Sequence, residues 1–173
     1  MPAILRPSDG VLQPGEFFVG TQPMRLRTML GSCVTITLWH PGRQAGAMSH
    51  FLLAQRGPRP AGQALDARYG NEALTLMLDG LAALGVRIAE CEAKIFGGAD
   101  MFNVGAAEAS CTVGRRNGEA ARQMLAAQGL EVQSEHLFGS GHRLIVFDLS
   151  DGVVWVRQIP PQDLPASDVR RRA

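Results

Sequence analysis

The stretch Cys33-Val34-Thr35-Ile36-Thr37-Leu38-Trp39 constrains this chain more than any other. Apolar and β-branched residues alternate along it, which is the period of a strand with two distinct faces. His40-Pro41-Gly42-Arg43 follows as turn chemistry, and residues 46–53 (Gly-Ala-Met-Ser-His-Phe-Leu-Leu) resume as a second strand. The pair predicts a hairpin. A hairpin alone is barely stable in water, so the rest of the chain must supply further strands and a layer to pack on.

The remaining pattern supplies both. Phe17-Phe18-Val19 predicts a short strand within a Pro- and Gly-rich opening. Residues 54–70 read as a long loop leaving the second strand just after His50, and a loop of that length in a compact domain is usually functional or mobile. Asn71 reads as the N-cap of a helix whose apolar face is Leu74, Met77, Leu78, Leu81 and Leu84, and Gly85 stops it. Residues 93–96 predict a brief strand ended by Gly97-Gly98. Asn117 reads as the cap of a second helix running to Gln128, with Ala121, Met124 and Leu125 inward and Gly129 after it. Strands are predicted over 131–137, 143–149 and 153–159, the last two joined by Ser150-Asp151-Gly152. Hairpin-joined strands with only two clear helices predict an α+β fold, with mostly antiparallel sheet and the helices to one side. We expect one domain over 1–159 and a flexible Pro- and Arg-containing tail over 160–173.

Composition excludes several classes. With 17 basic and 16 acidic residues the net charge is +1, so no global field attracts nucleic acid or anionic lipid. No apolar run approaches the ~18 residues that would span a bilayer. No charged start with a long apolar stretch marks a signal peptide, so a cytoplasmic location is expected. The three cysteines, Cys33, Cys91 and Cys111, are odd in number and widely spaced, which disfavours a disulfide framework. No Walker sequence is present and no GxGxxG follows a strand, so nothing supports nucleotide binding.

Cys33 is the first candidate for chemistry. A thiol after a Gly-Ser turn, at the first residue of a strand, stands where a substrate reaches it and where turn N–H groups could meet an oxyanion. Against that, free cysteine usually packs as a small hydrophobe. His50 lies on the partner strand, and cross-strand neighbours have Cβ atoms only ~5 Å apart. A cysteine nucleophile needs an imidazole that close to take its proton. A hydroxyl from Thr28 or Ser32 could orient the ring, although both are also ordinary turn residues. His40 is expected in a solvent-exposed turn. His136 and His142 flank Gly139-Ser140-Gly141, and no ligand spacing links them with Cys33 and His50 into a zinc site.

Four blocks occur in order: Leu30-Gly31-Ser32-Cys33-Val34; residues 46–53; Ala93-Lys94-Ile95-Phe96-Gly97-Gly98-Ala99-Asp100-Met101-Phe102; and Val113-Gly114-Arg115-Arg116-Asn117. With Leu65-Asp66-Ala67-Arg68-Tyr69-Gly70 and Gly141-His142-Arg143, the chain resembles the chemoreceptor glutamine deamidase CheD family over about residues 17–157. The resemblance implies an α/β sandwich similar to glutamine-deamidating toxins. It implies hydrolysis of glutamine side chains in the cytoplasmic domains of methyl-accepting chemotaxis receptors. It assigns the nucleophile to Cys33, the base to His50 and an accompanying threonine to Thr28, with no metal or organic cofactor. Some members bind the CheC phosphatase, so a CheC-like phosphatase partner is also implied. Two other classes stay open on the residues alone. One is a non-catalytic adaptor using the same surface; the other is a cysteine peptidase or transglutaminase-like enzyme.

Overall fold

A computed structural model describes residues 8–21, 23–102 and 112–161. Nine strands and two helices occur among them, in the order β1 (Ser8–Val11), β2 (Phe17–Gly20), β3 (Met24–Leu30), β4 (Val34–His40), β5 (Ala45–Ser49), α1 (Gly70–Ala83), β6 (Glu92–Gly97), α2 (Val113–Ala127), β7 (Val132–Leu137), β8 (His142–Asp148) and β9 (Val154–Ile159). One sheet runs β1-β3-β8-β9 and the other β2-β5-β4-β6-β7. Only β1–β3 and β6–β7 pair in parallel. The fold is therefore α+β with mostly antiparallel sheets.

Burial follows the layering. Leu26 and Leu30 of β3, Met48 of β5, Phe96 of β6, and Ile145 and Phe147 of β8 form a core between the two sheets. Val34, Ile36 and Leu38 of β4 point the other way, into a second core with Leu74, Met77 and Leu81 of α1 and Leu125 of α2. Both helices pack on the five-stranded sheet, so β4 is the middle of three layers and is buried on both faces. That explains its run of Val, Ile and Leu interleaved with β-branched Thr: the apolar row faces the helices and the threonines face the other sheet.

The structure departs from the sequence-based expectation in five places; the second strand of the first hairpin, expected over 46–53, is β5 and ends at Ser49, so His50 follows it. Two strands, β1 and β3, occupy residues the sequence reading left unassigned. Helix α1 begins at Gly70 after Tyr69, with no side-chain cap, and Asn71 lies inside its first turn. Helix α2 begins four residues before Asn117; its cap is Thr112, whose hydroxyl accepts the Arg115 N–H at 3.3 Å. His40 is buried rather than exposed, and its Nε2 meets Glu90 at 2.8 Å. Cys111 and the tail beyond residue 161 lie outside the described residues.

Candidate active site

Thr28 sits in the middle of β3, between Leu26 and Leu30, on the face turned toward the other sheet. A hydroxyl there needs partners, because a buried polar group without them is costly. Its Oγ1–H donates to the Leu12 carbonyl at 2.7 Å. Its oxygen also lies 2.7 Å from His50 Nδ1. A hydroxyl has one proton, and a carbonyl can only accept. With that proton committed to Leu12, Thr28 must accept from His50, so Nδ1 carries the hydrogen. The neutral ring then leaves Nε2 with its lone pair free, which is the tautomer a general base requires.

His50 follows directly on β5. Its N–H donates to Glu16 O at 3.0 Å, and its carbonyl accepts the Gly15 N–H at 2.8 Å, so the backbone is fixed on the β2 side. Val34 and Phe51 form an antiparallel bridge that continues the β4–β5 register. In that register Thr35 lies opposite His50 and Cys33 opposite Leu52. Alternation along the strands then places Cys33 and His50 on the same face as diagonal neighbours. That face looks toward β3, where Thr28 waits. Cys33 is half-buried and packs on the core between the sheets.

The segment before β4 is held carbonyl by carbonyl. Gly31 O accepts the Ala99 N–H at 3.0 Å, Ser32 O accepts Asn117 Nδ2 at 3.1 Å, and Cys33 O accepts the Gly98 N–H at 2.9 Å. Gly97 makes this approach possible: its φ is +114°, and a Cβ there would stand 2.3 Å from Cys33 O. The amide groups of the same segment behave differently. Among the described residues no backbone carbonyl accepts the N–H of Ser32 or of Cys33, and the Cys33 N–H acts on its own thiol.

Burial opposes charge on both members of the pair. It pushes the Cys33 thiol up from its ordinary value, while the residue's own backbone N–H pulls it part of the way back. It lowers His50 from 6.5 to about 4, with the Leu12 carbonyl and Glu16 acting in the opposite sense. The resting site is therefore a neutral thiol beside a neutral imidazole. Such a pair forms its ions only as a reaction proceeds, when an adjacent electrophile takes up the sulfur's charge.

Of the residues singled out from sequence, Thr28 and His50 are in direct contact and Cys33 shares their face. His136 is elsewhere, accepting the Arg143 Nε–H at 2.7 Å. Ser32 contributes its backbone carbonyl. Two participants escaped the sequence reading, the Leu12 carbonyl and the role of Asn117, whereas Gly97-Gly98 does what a glycine pair at a strand end permits, a positive φ and a close backbone approach. Asn117 left a signal, since it falls on the same helical face as Gly114, Ala121 and Leu125, and a polar residue on a buried face demands an explanation.

Comparison with known proteins points to one family. The family described as CheD chemotactic sensory transduction matches residues 52–158, a span that starts just after His50. A protein of Albidiferax ferrireducens named probable chemoreceptor glutamine deamidase CheD 2 is 54% identical over 163 residues, covering 94% of each chain. One from Dechloromonas aromatica, probable chemoreceptor glutamine deamidase CheD 3, is 46% identical over 84% of each. One from Chromobacterium violaceum, probable chemoreceptor glutamine deamidase CheD 1, is 41% identical over 88% of this chain and 79% of its own.

Proposed function

The chain belongs to the CheD family, and from that premise we propose that it is a chemoreceptor glutamine deamidase working through a cysteine thioester. Cys33 is the nucleophile, His50 the general base and acid, and Thr28 the group that orients the ring. The observation that carries this reading is the Leu12–Thr28–His50 hydrogen-bond chain, because it fixes the imidazole in the one neutral tautomer that can take a proton from a thiol on its Nε2 side.

The chemistry follows in balanced steps. His50 Nε2 takes the Cys33 proton as the sulfur attacks the glutamine side-chain carbonyl, giving a tetrahedral adduct with its charge on oxygen. The N–H groups of Ser32 and Cys33, which no backbone carbonyl accepts, serve that charge; one such donor is worth about 10²–10³ in rate. The imidazolium passes its proton to the amide nitrogen, the C–N bond breaks, and ammonia leaves. Water then adds to the thioester with His50 again as base. Collapse releases the glutamate carboxyl and returns the thiol.

The substrate in this reading is the cytoplasmic domain of a chemoreceptor, and the protein acts in the cytoplasm. No helix among the described residues is long and apolar enough to cross a membrane, which suits that place of action. The same family membership makes a CheC-like phosphatase the partner to test by co-elution.

The experiment is incubation with the cytoplasmic fragment of a chemoreceptor from the same organism, read by intact mass and ammonia release. The expected result is the mass change of an NH2-for-OH exchange at discrete sites, lost in Cys33→Ala and reduced by about 10³-fold or more in His50→Ala. Binding without mass change would favour an adaptor, and chain cleavage a peptidase. Unaltered deamidation by Cys33→Ala would remove the mechanism.

A further inference from the structure

Asn117 is 1% exposed, yet its side chain spends both protons of one nitrogen on two separate segments. Nδ2 donates to Ser32 O at 3.1 Å and to Leu52 O at 2.7 Å. Both partners are carbonyls, so only the NH2 end of the amide can face them. One segment precedes Cys33 by a single residue and the other follows His50 by two. Helix α2 reaches them because Gly114 lets its first turn close on the strand end; a Cβ at 114 would stand 2.3 Å from Ala99 O.

We infer that Asn117 is a positioning residue for the reaction proposed above: by fixing the Ser32 carbonyl it turns the Ser32–Cys33 peptide so that the Cys33 N–H faces the oxyanion. The inference rests on the deamidase reading. In a trans peptide the C=O and N–H point in opposite directions across one plane. Ser32 O aims at α2, on the helix side of the five-stranded sheet, so the Cys33 N–H aims away from it. The donor so released is the nucleophile's own amide, one bond from the Cα that carries the sulfur. The Cys33 N–H also pulls the value of its own thiol down. No backbone carbonyl among the described residues accepts it, so it stays available.

The residue type fits the task. Serine or threonine offers one proton and aspartate none, whereas asparagine offers two from a single short, stiff side chain. The second bond, to Leu52 O, ties the same helix to the segment after β5 that carries His50. Donor and base are thereby referred to one anchor.

A structural role alone would also cost stability, so the test reads something else. Iodoacetamide reacts with Cys33 by displacing iodide, and no oxyanion forms. Glutamine hydrolysis forms one. Full-length wild type, Asn117→Ala and Asn117→Asp are compared by ammonia release from the chemoreceptor fragment and by the alkylation rate of Cys33, read from its peptide. The inference expects kcat to fall by about 10²-fold, the effect of misplacing a reacting group by about 1 Å, with KM little changed. Alkylation should stay within about twofold, because thiolate character is untouched. Full kcat in either folded variant overturns the inference. So does a kcat loss matched by an equal loss of alkylation, since Asn117 would then act on the thiol–imidazole pair. If Asn117→Asp does not fold, Asn117→Ala carries the comparison. A wild type that alkylates at Cys33 but releases no ammonia from the fragment fails the deamidase reading itself, before any variant is made.

Discussion

Acid should loosen this protein through one residue before its carboxylates titrate. His50 is held neutral inside the fold, with its value lowered from 6.5 to about 4. The unfolded chain therefore binds a proton on this ring between those two values and the native chain does not. Stability rises with pH wherever the unfolded state binds more protons. The contribution is complete above about pH 6.5 and is lost as pH falls toward 4. Each step of one in pH across that window is worth about 1.4 kcal/mol, so the change from neutral pH to about pH 4.5 amounts to about 2.5 kcal/mol. A domain of this size has only about 5–15 kcal/mol in total, so the loss is easily measured. Urea unfolding of wild type and His50→Gln at pH steps across this range is the assay. Asp66, Glu72 and Asp148 are all held below their ordinary values, and their losses at lower pH are common to both proteins and cancel in the difference. The wild type should lose about 2.5 kcal/mol more than His50→Gln. Equal losses, within about 0.5 kcal/mol, would refute the claim that His50 is buried as the neutral base. The acid limb of kcat/KM should follow the same value and lie near 4 rather than 6.5.

Three further outcomes are expected. Thr28→Val keeps the shape but strands both the Leu12 carbonyl and the His50 Nδ1–H; it should cost about 1–3 kcal/mol by thermal unfolding and about 10- to 100-fold in kcat, with Thr28→Ser restoring most of both. Timed alkylation followed by peptide mapping should modify Cys33 before Cys91, whose thiol is buried and pushed up to about 11 by burial and by Glu90. Gly97→Ala should destabilise by about 2–4 kcal/mol in denaturant titration and abolish ammonia release, because a side chain at that φ collides with the Cys33 carbonyl.

Periodicity carried much of the architecture. The β4–β5 hairpin, the β8–β9 hairpin and both helices are legible because their apolar residues recur at strand or helix spacing. Strand β3 shows how that signal fails. Met24-Arg25-Leu26-Arg27-Thr28-Met29-Leu30 alternates well, but the inward row is broken by Thr28. The break is the residue that bonds His50, so the polar contact removed the pattern that would have revealed the strand. Asn117 failed for a different reason. Locally it has the chemistry of a cap, whereas its partners are 65 and 85 residues away in sequence. His40 likewise follows turn logic until Glu90, brought in by the strand that follows it, covers the ring. Long-range hydrogen bonds leave no local trace, and that is where local reading ended.

The trio proposed for catalysis is divided between layers: Thr28 belongs to the four-stranded sheet, Cys33 and His50 to the five-stranded one. Neither sheet by itself contains a competent nucleophile. The ring learns which nitrogen to protonate only when β3 arrives with its threonine already engaged by Leu12. On the proposed mechanism, arming of the thiol is thus coupled to the docking of the two sheets, and β8, which closes the pairing with β3, lies far downstream of Cys33 in the chain. If that mechanism holds, a growing polypeptide with Cys33 already made but β8 still missing carries an ordinary, unassisted cysteine, and attack on glutamine waits for the two sheets to meet.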